Sequence, residues 1–265
     1  MVIRHGRGWA IAISLLVSGI GQAAEHEQPF LHSVQIPYNR PPLPEAGPNT
    51  TVPPNTEPLS PEEVKRAEAL LPLLSGNQEF WAMGQFVHLG APVTPILVKA
   101  LTMPDPRLRY NAIETMKMIK DPSVAPALVK SAIEPLEMPR VRAHALRTAV
   151  RLNPAVTPQA IEAMAKDSHD SIRKAAAFEA RHVRENAVIP VLIGLIQDEQ
   201  MYVSITAFDS LMRLTRRQTE MHDWQMSTQK DRKEWAKEWM SWWEANEDTF
   251  EIPPPPRRRR RLQLP

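Results

Sequence analysis

The sequence of 265 residues contains no cysteine, and this absence excludes several kinds of covalent chemistry. Disulfide bonds, thiolate metal sites, c-type haem attachment and a lipidated N-terminal cysteine all require that residue. The nine glycines form no phosphate-binding loop or nucleophile elbow, and the eight histidines show no close zinc-binding pairing. We therefore expect no catalytic residue, no metal site and no cofactor.

The chain also lacks an apolar run long enough to cross a membrane as a helix. The N-terminal run WAIAISLLVSGIG has 13 residues, whereas a spanning helix needs about 20. Arg4 and Arg7 precede this run and Gly21-Gln22-Ala23 follows it, which is the pattern of a secretory signal peptide. We expect a signal peptide over residues 1–24, with an uncleaved anchor as the alternative. The mature chain would be exported to the periplasm or secreted, without a transmembrane span.

Positive charge is scarce outside the two ends of the chain. The formal net charge is +2, but residues 8–256 carry −5 once Arg4, Arg7 and the arginine run at 257–261 are set aside. A nucleic-acid-binding domain normally carries its positive charge on the folded part. We therefore expect no specific nucleic-acid partner.

Proline marks the boundaries of the predicted domains. Ten prolines fall between residues 25 and 61, and such a segment buries too little apolar area to offset its ordering entropy. We expect a disordered linker over residues 25–60, a helical domain over 61–250 and a disordered tail over 251–265. In the tail, Pro253–Pro256 are followed by Arg257, Arg258, Arg259, Arg260 and Arg261.

The helical domain contains an internal repeat. A Val-x-Pro signature recurs with its prolines 31, 32 and 32 residues apart, at Val93-Thr94-Pro95, Val124-Ala125-Pro126, Val156-Thr157-Pro158 and Val188-Ile189-Pro190. Each proline precedes an amphipathic stretch, and proline fits the first turn of a helix because its missing N–H would be unpaired there. The signature predicts the start of the second helix in each repeat.

A second signature marks the first helix of each repeat. An apolar residue and an arginine precede alanine at Leu108-Arg109-Tyr110-Asn111-Ala112, Val141-Arg142-Ala143-His144-Ala145 and Ile172-Arg173-Lys174-Ala175-Ala176. Ala207 continues the series without the arginine, and Ala82 lies 30 residues before Ala112, where Glu79 takes the arginine position. Two helices per repeat without a strand signal predict an all-α solenoid of helical hairpins, about four to five repeats long.

These runs resemble HEAT repeats of the short, phycobilisome-lyase-like type. The resemblance covers about residues 76–215 and includes the Asp-Pro turns, Val-Arg, the alanine-rich first helix and Val-x-Pro. It implies that Arg109, Arg142 and Arg173, with Asp105 and Asp170, bridge successive repeats as a structural ladder. An anion-binding groove built from the same guanidinium groups is the alternative.

The C-terminal stretch WAKEWMSWWEAN holds four of the seven tryptophans. Trp235, Trp239, Trp242 and Trp243 fall within an arc of about 100° on a helix, and the charged residues lie outside it. We interpret this helix as the cap that closes the last repeat, rather than as a ligand-stacking platform.

The leading functional hypothesis is a non-enzymatic exported scaffold that binds a protein partner in the bacterial cell envelope. The second helices are expected to line a concave face, where Lys99 and Lys130 occupy equivalent positions. These lysines are candidate partner contacts, and ordinary solvated positions are the alternative. The resemblance also implies an alternative, lyase-like or chaperone-like handling of a chromophore or prosthetic group. A third hypothesis assigns Arg257–Arg261 to an anionic membrane surface or polyanion, and an inert solvated tail remains open beside it.

Overall fold

A computed structural model describes residues 57–217, 219 and 222–254 of the chain. The predicted signal peptide, most of the predicted linker and the arginines at 257–261 lie outside the described residues. Within the described ranges the regular structure is helical, with short 3-10 turns at Leu71–Leu74, Ala91–Val93, Pro122–Val124 and Pro154–Val156. The eleven α-helices in these ranges are Pro61–Leu70 (α1), Glu79–Leu89 (α2), Thr94–Ala100 (α3), Pro106–Ile119 (α4), Ala125–Ile133 (α5), Pro139–Leu152 (α6), Pro158–Ala165 (α7), Asp170–Ala180 (α8), Val188–Ile196 (α9), Met201–Thr215 (α10) and Gln229–Asn246 (α11).

The helices begin where the sequence offers a cap or a proline. Ser60 and Glu63 form a capping box at the start of α1, and Thr228 forms one with Asp231 at the start of α11. The four prolines of the Val-x-Pro signature all lie in the first turn of α3, α5, α7 or α9. Because proline has no N–H to leave unpaired, it costs nothing at these positions.

Five helical hairpins stack on each other in two layers. The first helices α2, α4, α6, α8 and α10 pack in chain order, and the second helices α3, α5, α7, α9 and α11 form the other layer, with α1 ahead of α3. The alanine of the repeat signature is fully buried in every hairpin, at Ala82, Ala112, Ala145, Ala176 and Ala207. A small side chain at this position lets neighbouring helices approach closely, and the predicted all-α solenoid is confirmed.

The tryptophan-rich helix α11 is the second helix of the last hairpin and packs against α9. Trp239 and Trp243 are buried, Trp235 and Trp242 are half-buried, and the charged residues of the helix other than Asp231 and Arg232 are exposed. Full burial of one indole contributes about 5 kcal/mol gross, as an upper bound. The indoles therefore belong to the hydrophobic core, where they cover the end of the second-helix layer.

The loop before α11 is joined to this aromatic core through Arg217. Its guanidinium carbon lies 4.7 Å from the ring centroid of Trp239 and 5.2 Å from that of Trp242. His222 stacks on Trp235 with ring centroids 3.9 Å apart. Cation–π and stacking contacts of this kind hold a loop without backbone pairing.

Two helices end in a left-handed residue that is not glycine. Lys120 closes α4 at φ 63°, and Arg216 closes α10 at φ 54°. The amide of Lys120 still donates to the carbonyl of Met116 at 3.0 Å, so the C-terminal cap is formed. A residue with a Cβ adopts this conformation at a cost of about 1 kcal/mol.

Replacement of Lys120 by glycine should therefore stabilise the protein. We expect Lys120→Gly to raise the free energy of unfolding by about 0.5–1 kcal/mol, because glycine removes the steric cost at the αL position. Urea unfolding followed by circular dichroism would measure the change. Lys120→Ala is the matched control, since it removes the exposed ammonium group but keeps the Cβ; an equal gain in that variant would refute the explanation.

Candidate functional site

The arginine of the repeat signature joins consecutive repeats. Arg109, in the first turn of α4, donates to the carbonyl oxygens of Met103 and Pro104 at 2.6 and 2.7 Å in the preceding loop. Its other two nitrogens form a bidentate pair with Glu137, in the turn before α6. One side chain therefore fixes two successive turns of the solenoid.

Arg142 and Arg173 repeat this arrangement one and two repeats further on. Arg142 is buried, donates to the carbonyl of Ala132 at 2.9 Å and pairs with Asp167 at 2.6 Å. Arg173 donates to the carbonyl of Asp167 at 2.9 Å and forms a bidentate pair with Asp198 at 2.6 and 3.0 Å. These three guanidinium groups already make internal hydrogen bonds and ion pairs. Few of their N–H donors therefore remain to bind an anion, as the alternative anion groove would require.

The carboxylates that pair with the ladder arginines come from the following turn. Glu137, Asp167 and Asp198 make the ion pairs, each 25–28 positions after its arginine. Asp105 caps α4 by accepting from the amide of Arg107 at 2.8 Å. A hydrogen bond from the Ser75 side chain lowers the pKa of Asp105, and one from Tyr202 lowers the pKa of Asp170. Ser75 precedes α2 and Tyr202 lies in α10, so Asp105 and Asp170 contact neighbouring repeats through hydroxyl groups.

The two end repeats show why the arginine is absent there. Ser204 takes its place in α10 and donates to the carbonyl of Asp198 at 3.0 Å, so it holds the preceding loop only. In α2 the position is Glu79, a buried carboxylate that accepts from Arg107 at 2.7 and 2.8 Å and from Asn111 at 3.0 Å. Within residues 57–254 no further hairpin follows α10 and α11, so Ser204 meets no later turn. In the first hairpin the acidic partner stands at the arginine position, which reverses the polarity of the pair.

A buried histidine lies on the outer side of the first-helix layer. His144 in α6 stacks on Tyr110 of α4 with ring centroids 4.3 Å apart, and its Nε2 lies 3.0 Å from Oε2 of Glu114. Neither ring nitrogen has a partner in hydrogen-bonding geometry within the described chain. Burial lowers the pKa of His144 to about 4, although the Glu114 carboxylate opposes this shift, so the ring is neutral at pH 7.

The two lysines predicted to contact a partner lie on the second-helix layer, in different surroundings. Lys99 in α3 pairs with Glu68 of α1 at 2.7 Å, so its charge is already matched. Lys130 in α5 is exposed and makes no ion pair with any described residue. In the next two repeats this position holds Glu162 and Gly194. The layer therefore carries no continuous basic stripe.

Clefts open between neighbouring second helices. One of about 310 Å³ lies between α3 and α5 and is lined by Val98, Leu101, Lys130 and Glu134. Another of about 510 Å³ lies between α7 and α9, where Gly194 forms part of the wall. A Cβ on Gly194 would meet nothing within 4 Å, and an exposed glycine inside a helix costs about 1 kcal/mol relative to alanine. No close contact with other described residues requires a glycine at this position, and the missing side chain of Gly194 widens the cleft.

A further cleft of about 480 Å³ lies on the opposite layer, where α2, α4 and α6 meet. Arg107 and Arg140 flank it, and Tyr110, Met138 and Val141 supply apolar surface. The sequence reasoning did not single out Arg107 or Arg140. Their shared Pro-Arg pattern, 33 residues apart at the start of α4 and α6, was the signal available.

Among the described residues, no group of three or more histidine, aspartate and glutamate side chains is placed to hold a metal ion. None of the described helices combines the length and apolar character that a membrane span requires.

Comparison with known protein families identifies the repeat. Residues 81–149 match the family model of HEAT repeats. The chain contains HEAT repeats. No curated protein matches the chain at a significant level. HEAT repeats commonly mediate protein–protein interactions, and they do so through the extended surface that stacked helices present. The match covers α3, α4, α5 and most of α2 and α6, so it includes the first step of the arginine ladder.

Removal of one ladder arginine should weaken the HEAT-repeat stack markedly. We expect Arg142→Ala to lower the free energy of unfolding by about 3 kcal/mol, because it leaves the Asp167 carboxylate and the Ala132 carbonyl without their buried partner. Chemical denaturation would measure the loss. Arg151→Ala on the same helix is the control; it removes an exposed guanidinium and should change stability by less than about 0.5 kcal/mol. Equal losses in both variants would contradict the ladder.

Acidification should destabilise the HEAT-repeat stack through His144. The folded pKa of about 4 lies below the ordinary value of 6.5, so the unfolded chain binds a proton that the folded chain does not. Stability contributed by the neutral ring is therefore complete above pH 6.5 and is lost as the pH falls towards 4, by up to about 3 kcal/mol. Denaturation midpoints between these pH values would follow the loss. His144→Gln should flatten this dependence, and an unchanged slope would refute the assignment.

Proposed function

We propose that this protein is a non-enzymatic scaffold of the bacterial cell envelope that binds a protein partner along its second-helix layer. The observation that carries the proposal is the pair of open clefts between second helices, at α3–α5 and at α7–α9. The arginine ladder supports it, because its contacts hold successive repeats in a fixed register. A rigid surface loses little side-chain entropy when it binds a partner.

The chemistry of the clefts supports a protein partner over a small molecule. The α3–α5 cleft combines apolar walls with Lys130 and Glu134, and the α7–α9 cleft combines Val191 and Leu195 with the Glu162–Lys166 ion pair. Apolar surface with a few charges at its rim is typical of a protein interface. Both clefts are broad and open to solvent, whereas small-molecule sites enclose most of the ligand.

Export to the envelope is part of the proposal and rests on the N-terminal sequence alone. The repeat length of 30–33 residues also leads us to place these repeats with the short phycobilisome-lyase-like type. The α3–α5 and α7–α9 clefts open widely to solvent, which does not favour a role in handling a chromophore.

Site-specific photocrosslinking in cells of the source bacterium tests the scaffold. A photoreactive residue at position 130 or 194 should give one discrete adduct with the same envelope protein, because both positions line clefts of the second-helix layer. Mass spectrometry of the adduct from the periplasmic fraction would identify it. The same probe at Arg151, which is exposed on α6 of the first-helix layer, is the control and should give none. Adducts at all three positions, or at Arg151 alone, would contradict the proposal.

A further inference from the structure

The first-helix layer has a basic surface at the start of α6 where an arginine lacks an acidic partner among the described residues. This helix contains four arginines and no acidic residue. Arg142 belongs to the ladder, and Arg147 pairs with the buried Glu179 of α8 at 3.0 Å. Arg140 and Arg151 have no carboxylate partner among the described residues. Of these two, Arg140 lies at the cleft where α2, α4 and α6 meet.

The cleft beside Arg140 has an excess of positive charge. Glu79 at its far side is neutralised by Arg107, whose Nε and Nη2 both donate to that carboxylate. This pair holds the Arg107 guanidinium at the cleft while its side chain remains 63% exposed. Arg140 then adds a net positive charge that nothing in the described chain balances. Its guanidinium carbon lies 4.8 Å from the ring centroid of Tyr110, which itself stacks on His144, so the cation is already oriented.

Exposed apolar side chains precede the same cation in the chain. Met138 lines the cleft together with Tyr110 and Arg140 and is 51% exposed. Leu136, two residues earlier in the turn that leads into α6, is 95% exposed. Arginine, methionine and aromatic residues are enriched in the cores of protein interfaces. We therefore expect a partner to supply apolar side chains as well as negative charge.

We propose that this surface, formed by Arg107, Tyr110, Leu136, Met138 and Arg140, binds an acidic peptide segment of a partner protein in which carboxylates alternate with apolar residues. A carboxylate forms a bidentate pair with Arg140, and neighbouring apolar side chains cover Leu136 and Met138. A nucleic acid fits less well, because its affinity depends on several phosphate contacts and the segment 8–256 carries a net charge of −5. The proposal concerns the first-helix layer and is independent of partner binding to the second-helix layer.

Fluorescence anisotropy with a defined peptide tests the proposal. The probe is a short fluorescein-labelled peptide in which three glutamates alternate with two leucines, titrated with the full mature chain at low salt. We expect saturable binding that weakens by about tenfold or more when the glutamates are replaced by glutamines, and by a similar factor in Arg140→Glu. Leu136→Ser should weaken binding without changing its salt dependence, because it removes only apolar contact.

Two matched variants separate the site from a general charge effect and from the proposed scaffold surface. Arg151→Glu makes the same charge change on the same helix but outside the cleft, and Lys130→Glu makes it on the second-helix layer; neither should change peptide affinity by more than about twofold. If Arg151→Glu weakens binding as much as Arg140→Glu, the surface is only a diffuse field and the proposal is wrong. Absence of peptide binding, or binding of heparin or anionic vesicles in its place, would also overturn it.

Thermal unfolding tests whether the Arg140→Glu variant keeps the fold. Arg140 is exposed and contributes a cation–π contact only. The unfolding midpoint of the variant should therefore stay close to that of the unmodified chain. If that variant unfolds, Arg140→Gln removes the charge without adding an opposite one and should show the same loss of peptide binding. Retained affinity in a folded Arg140→Gln variant would refute the bidentate pair.

Discussion

The contact of one buried guanidinium with two successive turns is the constraint on which the rest of this structure depends. Hairpins of two short helices cannot bury their apolar faces alone, so each must stack on its neighbours in a defined register. Arg109, Arg142 and Arg173 set that register by joining backbone carbonyls of one turn to a carboxylate of the next. Apolar contacts supply most of the stabilisation but are not directional, whereas a forked, charged hydrogen-bond donor is.

The ladder also decides which charges remain free for partners. Its three carboxylates lie in the turns and are paired there with the ladder arginines. The cations of α6 outside the ladder have no acidic residue within their own helix. The two layers consequently differ in chemistry: the second helices present clefts with mixed charge, and the first helices present a basic site beside exposed apolar side chains. A scaffold needs two such independent surfaces if it is to bring partners together.

The ends of the stack show how a repeat changes when a neighbour is missing. Ser204 keeps the contact with the preceding loop that the ladder arginines also make. At Glu79 a carboxylate stands in place of the arginine and accepts from Arg107 of the following repeat. At the C-terminal end, the indole face of α11 covers α9 while its charged face meets water. Helix α11 therefore caps the described stack by burying a large aromatic area against its last neighbour.

Periodicity alone determined the class of fold. The valine, proline and alanine positions recur because every hairpin faces the same packing problem, so the helix starts, the layer order and the inward side of α11 could be read from spacing. Local sequence could not assign the partners of the ladder, since Asp105 stands four residues from Arg109 but caps its own helix, while Glu137 stands 28 residues away and makes the pair. Nor could it reveal that Arg140 is left unpaired beside a cleft or that Lys99 is matched by Glu68. Such facts depend on which side chains meet between repeats, and only stacking in three dimensions decides them.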